Sequence, residues 1–122
     1  MKDSSKRHMI LVDIYRGQKL IAKSVKYCQD LRSKVIGLMF VSSPGNGAFL
    51  PNVKDIHMNF VRFNLDIIWL DKDNVVVKKA LARPWKLYYG PANATHVLEL
   101  PQGCGSSLKI GDTLYIKNRR KV

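Results

Sequence analysis

Five side chains in this sequence have the type and the setting to do chemistry: Arg32, His57, Arg62, Asp66 and Glu99. Asp66 is an acid inside an otherwise apolar run, and a carboxylate placed there must be hydrogen-bonded or paired to stay charged. The plain account is a structural network around it; the functional one is a ligand-binding or catalytic carboxylate. Arg62 shares its face on an extended chain but sits about 13 Å away at ~3.3 Å per residue, so each needs a partner from a neighbouring strand. Glu99 is the one glutamate of the chain, held between Leu98 and Leu100. Pairing with Lys or Arg accounts for it, and no partner motif supports a general base. His57 precedes the apolar run, but with His8 and His96 it forms no HxH, HExxH or CxxH spacing, so no metal is expected. Ser42, Ser43, Ser106 and Ser107 lie in loops without a nucleophile elbow. Pro44-Gly45-Asn46-Gly47 lacks the rest of a phosphate or dinucleotide fingerprint. The expectation is therefore a binding set with no catalytic constellation and no cofactor.

These residues are placed by the run 56–71, in which Val61, Phe63, Leu65, Ile67 and Trp69 occupy every odd position from Val61 onward. A period of two predicts a strand with one buried face. Its other face is polar at Arg62, Asn64 and Asp66 and apolar at Ile68 and Leu70, so it should cross the domain centre and emerge at a polar rim. Residues 9–15 read as a first strand, Gly17 as a tight turn and 18–26 as its hairpin partner. Leu31, Val35, Leu38 and Met39 then fall at helical spacing behind Asp30 as N-cap, predicting one short helix near residues 30–39 with Gly37 at its exit. Residues 42–47 are a loop, 48–50 a brief strand, and Asp71-Lys72-Asp73-Asn74 the turn of a hairpin into Val75, Val76 and Val77. Arg83-Pro84-Trp85 breaks that strand, and 86–89 reads as an aromatic loop over the sheet. Further strands are expected at 95–100 and 113–117, with one helical turn at 106–110. The fold class is mainly β, an antiparallel sandwich or barrel-like domain.

The chain has 122 residues, enough for a single domain. We place it at 9–117, between basic tails at 1–8 and 118–122. With 21 Lys and Arg against 9 acids the net charge is +12, which favours polyanionic partners and says nothing about fold. Phosphate contacts on a nucleic acid would fall to Lys78, Lys79, Arg83, Lys86, Arg119 and Arg120, strengthening association without choosing sequence. No apolar run approaches the ~20 residues of a membrane span. The short apolar stretch after the basic start is a poor signal peptide, so the expected location is cytoplasmic. Cys28 and Cys104 lack CxxC spacing and read as two thiols in a reducing compartment.

The ordered blocks Arg32, Gly37-Leu38-Met39, Gly47-Ala48-Phe49-Leu50, Ile56-His57-Met58, Val61 through Asp71, Val97 through Gly103 and Ile110-Gly111-Asp112 resemble the family known as domain of unknown function 192. The resemblance covers residues 21–116. It implies a compact, mostly β, sandwich-like fold without an established activity, cofactor or partner, and it carries Arg32, Gly37, His57, Arg62, Asp66, Glu99 and Gly103 over as pattern positions. Many members are exported or membrane-attached, which the start of this chain does not suggest. The pattern has a proline where Asn64 stands, and an arginine where Phe40-Val41 stands.

Three readings follow. The first is a non-catalytic binding module with a polar pocket or rim for an anionic small ligand or partner. The second is a nucleic-acid-associated protein gripping phosphates through its tails and basic surface. The third is an enzyme using Asp66 or Glu99.

Overall fold

The computed structural model describes residues 10–29, 38 and 42–119. Nine strands form: β1 (Leu11–Arg16), β2 (Lys19–Tyr27), β3 (Ala48–Leu50), β4 (Ile56–His57), β5 (Leu65–Leu70), β6 (Val76–Ala82), β7 (Leu87–Tyr88), β8 (His96–Pro101) and β9 (Tyr115–Asn118). Seven make one sheet in the order β6-β5-β8-β3-β2-β1-β9, while β4 and β7 pair separately in a sheet of two. The mainly-β expectation holds, with two corrections. The large sheet is mixed, because β2 and β3 run parallel; the segment 28–47 between them is long enough for the crossover a parallel pair requires. The sheet also stays open rather than closing into a barrel. Segment 111–114 comes back beside the start of β6, where Val76 N–H donates to the Asp112 carbonyl at 2.8 Å and Leu114 N–H to Asn74 at 2.9 Å.

That return rolls the sheet around Val12, Ile14, Ile68, Leu98, Leu108 and Leu114. The opposite face carries a second core of Leu50, Met58, Leu65, Ile67, Trp69 and Val97. β5 serves both, because successive residues of a strand point to opposite sides. Leu65, Ile67 and Trp69 enter one core while Ile68 and Leu70 enter the other. Burying both faces makes this strand the middle of the molecule.

The expected strand over 56–71 exists only at its two ends. Phe60 takes a left-handed backbone at φ 62°, and Val61 N–H turns back to the Met58 carbonyl at 3.2 Å. The alternating apolar residues there are anchored by a turn packed on the core, not by a ladder. Both expected hairpins form. β1 and β2 turn at Gly17 with φ 61°, and β5 and β6 turn at Asn74 with φ 63°. Asp71 Oδ1 braces the second by accepting from the amides of Asp73 at 2.8 Å and Val75 at 3.0 Å. The segment expected as a loop at 86–89 supplies β7, and the helical turn expected at 106–110 is a run of irregular turns. The helix expected near residues 30–39 lies outside the described residues except for Leu38, which is buried. So do the first tail and all of the second beyond Arg119. Cys28 is buried in the core and Cys104 is exposed on a turn, so the two are not bonded to each other.

Candidate functional site

Asp66 points from β5 into the turn after β8, and its Oδ2 accepts from the amides of Gly103 and Gly105 at 2.9 Å each. A Cβ on Gly105 would stand 3.3 Å from Asp66 Cβ, so this turn is seated against the carboxylate. A cavity of about 420 Å³ lies alongside, lined by Asp66, Lys79, Leu81, Gln102 and Ser106. Lys79 spans that side of the molecule and donates its ammonium to the Leu108 carbonyl.

Glu99 stands directly opposite Ile67 on β5 and Ala48 on β3. Ile67 and Asp66 are adjacent on one strand, so Glu99 and Asp66 face opposite sides of the sheet. Glu99 is 7% exposed. Burial pushes its carboxyl up to about 7, and the Lys26 ammonium, in register through Ala48, pulls the other way.

His57, on β4, pairs with Leu87 across the small sheet, and its Nδ1 accepts from the Asn59 amide at 3.3 Å. Arg62 is exposed and lines a different cavity, of about 330 Å³, with Phe60, Val61, Pro84 and Trp85. Arg32 lies outside the described residues. The four described residues of the expected binding set therefore do not meet in one hollow. Asp66 and Arg62 line separate cavities, Glu99 is in a core, and His57 shares with Arg62 the small two-stranded lobe.

That lobe is tightly built. Met58 N–H donates to the Lys86 carbonyl at 2.8 Å, and Trp85 N–H donates back to the Met58 carbonyl at 2.8 Å. Arg83 N–H donates to the Tyr88 hydroxyl at 2.8 Å, and Gly90 N–H to Asp55 Oδ1 at 3.1 Å. Trp69 ties the lobe to the main sheet by donating from its indole to the Lys54 carbonyl at 2.7 Å. Gly90 must be glycine here, because a Cβ would fall 2.6 Å from the Trp69 ring.

On this frame stand Phe60 and Trp85, edge to face with ring centroids 4.8 Å apart. Phe60 is 45% exposed and Trp85 60%, with Leu87 and Tyr89 as open beside them. Both ring residues hold left-handed backbones, at φ 62° and 72°. For side chains of this bulk that costs roughly 1 kcal/mol or more apiece.

The expected phosphate contacts divide sharply. Lys78 lies 4.8 Å over the Trp69 ring and donates to the Tyr89 carbonyl at 2.8 Å. Lys79 is held by Leu108. Arg119 Nη1 donates to both oxygens of Asp13 at 3.2 Å. Arg120 is outside the described residues. Arg83 and Lys86 remain as exposed cations of the lobe, alongside Arg62. Sequence reasoning missed Phe60 and Trp85. The signal was there in Arg83-Pro84-Trp85-Lys86, a ring set between cations after a proline, which reads first as a strand break. Among the described residues no group of His, Cys, Asp and Glu could hold a metal ion, and no helix is long and apolar enough to cross a membrane.

An open, rolled mixed sheet with a ring-and-cation lobe on one face defines a small β-rich domain. The chain belongs to the family DUF192, described as "Uncharacterized ACR", whose model matches residues 12–116. Among curated relatives, a UPF0127 protein of Pyrococcus furiosus is 24% identical over 111 residues, 85% of this chain and 95% of its own. A UPF0127 protein of Pyrococcus horikoshii is 28% identical over 90 residues, 70% of this chain and 78% of its own. A UPF0127 protein of Thermococcus sibiricus is 38% identical over 61 residues, 48% of this chain, and the match spans only 40% of that protein. Two solved structures share the fold. A protein of unknown function from Novosphingobium aromaticivorans has TM-score 0.73 at 19% identity, covering 94% of this chain and 98% of its own. A candidate transcription regulator from Sinorhizobium meliloti has TM-score 0.70 at 17% identity, covering 89% of this chain and 94% of its own.

Proposed function

We propose that this domain is a non-catalytic binding module that takes an anionic ligand on the β4–β7 lobe. The observation that carries this reading is Arg62, exposed at a cavity edged by Phe60 and Trp85, with Arg83 and Lys86 exposed on the same lobe. Asp55, the one acid among the described residues of the lobe, lies 3.9 Å from Lys54 and accepts from Gly90, so the field toward solvent is cationic. Asp66 supports the reading from the other side. Its Oδ2 already accepts two backbone amides, which suits an acid that positions a turn.

The test is a titration with inorganic tripolyphosphate, followed by the emission of Trp85. Trp69 is fully buried and serves as the internal reference. Joint replacement of Arg62, Arg83 and Lys86 by Ala should weaken binding at least tenfold at low salt, with the Trp69 signal unchanged. Equal affinity in the triple variant, or no binding by the parent protein, would sink the reading.

A further inference from the structure

We infer that the ligand of the lobe carries planar rings as well as charge, and that it is single-stranded nucleic acid, a base stacked on Trp85 beside Phe60 and its phosphates held by Arg62, Arg83 and Lys86. This rests on the anion-binding reading above and adds the chemistry of the second contact.

Exposed rings grouped on one small lobe mark an interaction surface more often than exposed apolar residues scattered singly. Their geometry narrows the partner. A T-shaped pair leaves at least one ring with both faces clear of its mate, and Trp85 is 60% exposed. An open indole face accepts any base, since every base has a π-face of its own. The hollow beside it is about 330 Å³, at the lower end of small-ligand clefts, a size for one flat ring and its sugar. Arg62 shares the wall of that hollow with the rings, so charge and stacking act on neighbouring parts of one ligand. Left-handed backbones at both Phe60 and Trp85 hold the rings outward at positions where a glycine would sit without strain.

The charge of the whole chain, +12, complements a polyphosphate backbone. A lipid surface shares that charge but asks for apolar side chains protruding from a convex face. Here the rings edge a concavity, together with Pro84 and an arginine. Among the described residues the wall of that hollow offers no Asn, Gln, Ser or Thr to read base edges, so binding should tolerate any sequence.

The experiment uses the full chain with four probes at matched salt: an oligothymidylate of eight nucleotides, an abasic phosphodiester chain of the same length, inorganic tripolyphosphate, and phosphatidylserine vesicles. The oligothymidylate should quench Trp85 and bind about tenfold or more tighter than the abasic chain. Trp85→Ala should erase that advantage while leaving abasic-chain affinity within twofold, and Trp85→Phe should restore part of it. Unchanged Trp69 emission reports an intact fold in each variant. Equal binding of the two chains overturns the ring contact and leaves the anion-binding reading standing. Failure of the oligothymidylate, the abasic chain and tripolyphosphate alike overturns both. Binding to vesicles without binding to the oligothymidylate overturns the nucleic-acid assignment.

Discussion

The turn that follows β8 and the lobe built on β4 and β7 treat their polar groups in opposite ways. In the turn, Asp66 is drawn inward and satisfied by two amides. On the lobe, Arg62, Arg83 and Lys86 are exposed beside exposed rings. The same division runs through the described molecule. Asp13, Asp55, Asp71 and Asp112 also each accept a backbone amide. Asp13 and Asp112 pair in addition with Arg119 and Arg16. Hydrogen bonds from Ser24 and Lys109 hold the Asp13 and Asp112 carboxyls, respectively, below the usual range, with help from those arginines. Acids accept and amides donate, so most of the described acids, Asp73 and Glu99 excepted, are taken up in bracing the backbone while most described cations stay outside. An excess of basic residues thereby becomes a surface property, and on the lobe the exposed cations face a single described carboxylate, Asp55.

Four measurements would break or sharpen this contrast. The largest effect belongs to Glu99, the acid that burial leaves at about 7 against an ordinary 4.5. A raised folded-state pKa means the native protein holds the proton where the unfolded chain has released it. Its stabilising contribution is complete below pH 4.5 and is lost as pH rises through about 7. That loss amounts to about 3 kcal/mol at ~1.4 kcal/mol per pKa unit. Glu99→Gln should flatten the profile and unfold at higher urea than the parent above pH 7; an unchanged profile would mean that the charge is compensated in the native state.

Asp66→Ala comes next. It strands the Gly103 and Gly105 amides and should cost about 2 kcal/mol, read as a lower urea midpoint at constant slope. Affinity at the lobe should stay within twofold, and a large loss there would join the two regions that the structure separates. Trp85→Gly should hold stability within about 1 kcal/mol of the parent, because relief of the left-handed strain offsets lost ring contacts. A loss several times larger would make the ring a structural element. Arg119→Ala should change stability by only about 0.5 kcal/mol, as expected of a half-exposed ion pair. Thermal melts at low and high salt would show the effect fading as salt rises.

Much of the scaffold was legible because its signals are local. Gly17 and Asp71-Lys72-Asp73-Asn74 specify turns through backbone preference and side-chain-to-amide bonding, both set within a few residues. Leu65–Leu70 declared a strand with one buried face, and a second face that turns apolar at Ile68 and Leu70, by its own composition. The break at Phe60 was hidden because a turn packed on a core shows the same alternation as a strand. The parallel pairing of β2 with β3 was hidden because it joins segments far apart in sequence. Asp66 and Glu99 belonged to one expected binding set, and only the register of β8 against β5 sets them on opposite faces.

Composition and local pattern were enough by themselves to determine a basic, β-rich fold, its hairpins and the strand at its centre. Each of those follows from nearest-neighbour geometry and the period of apolar residues. Which charges would be consumed and which left open was decided only by tertiary structure. Exposure depends on what packs across from a residue, and for Trp85, Arg62 and Asp66 that neighbour comes from another part of the chain.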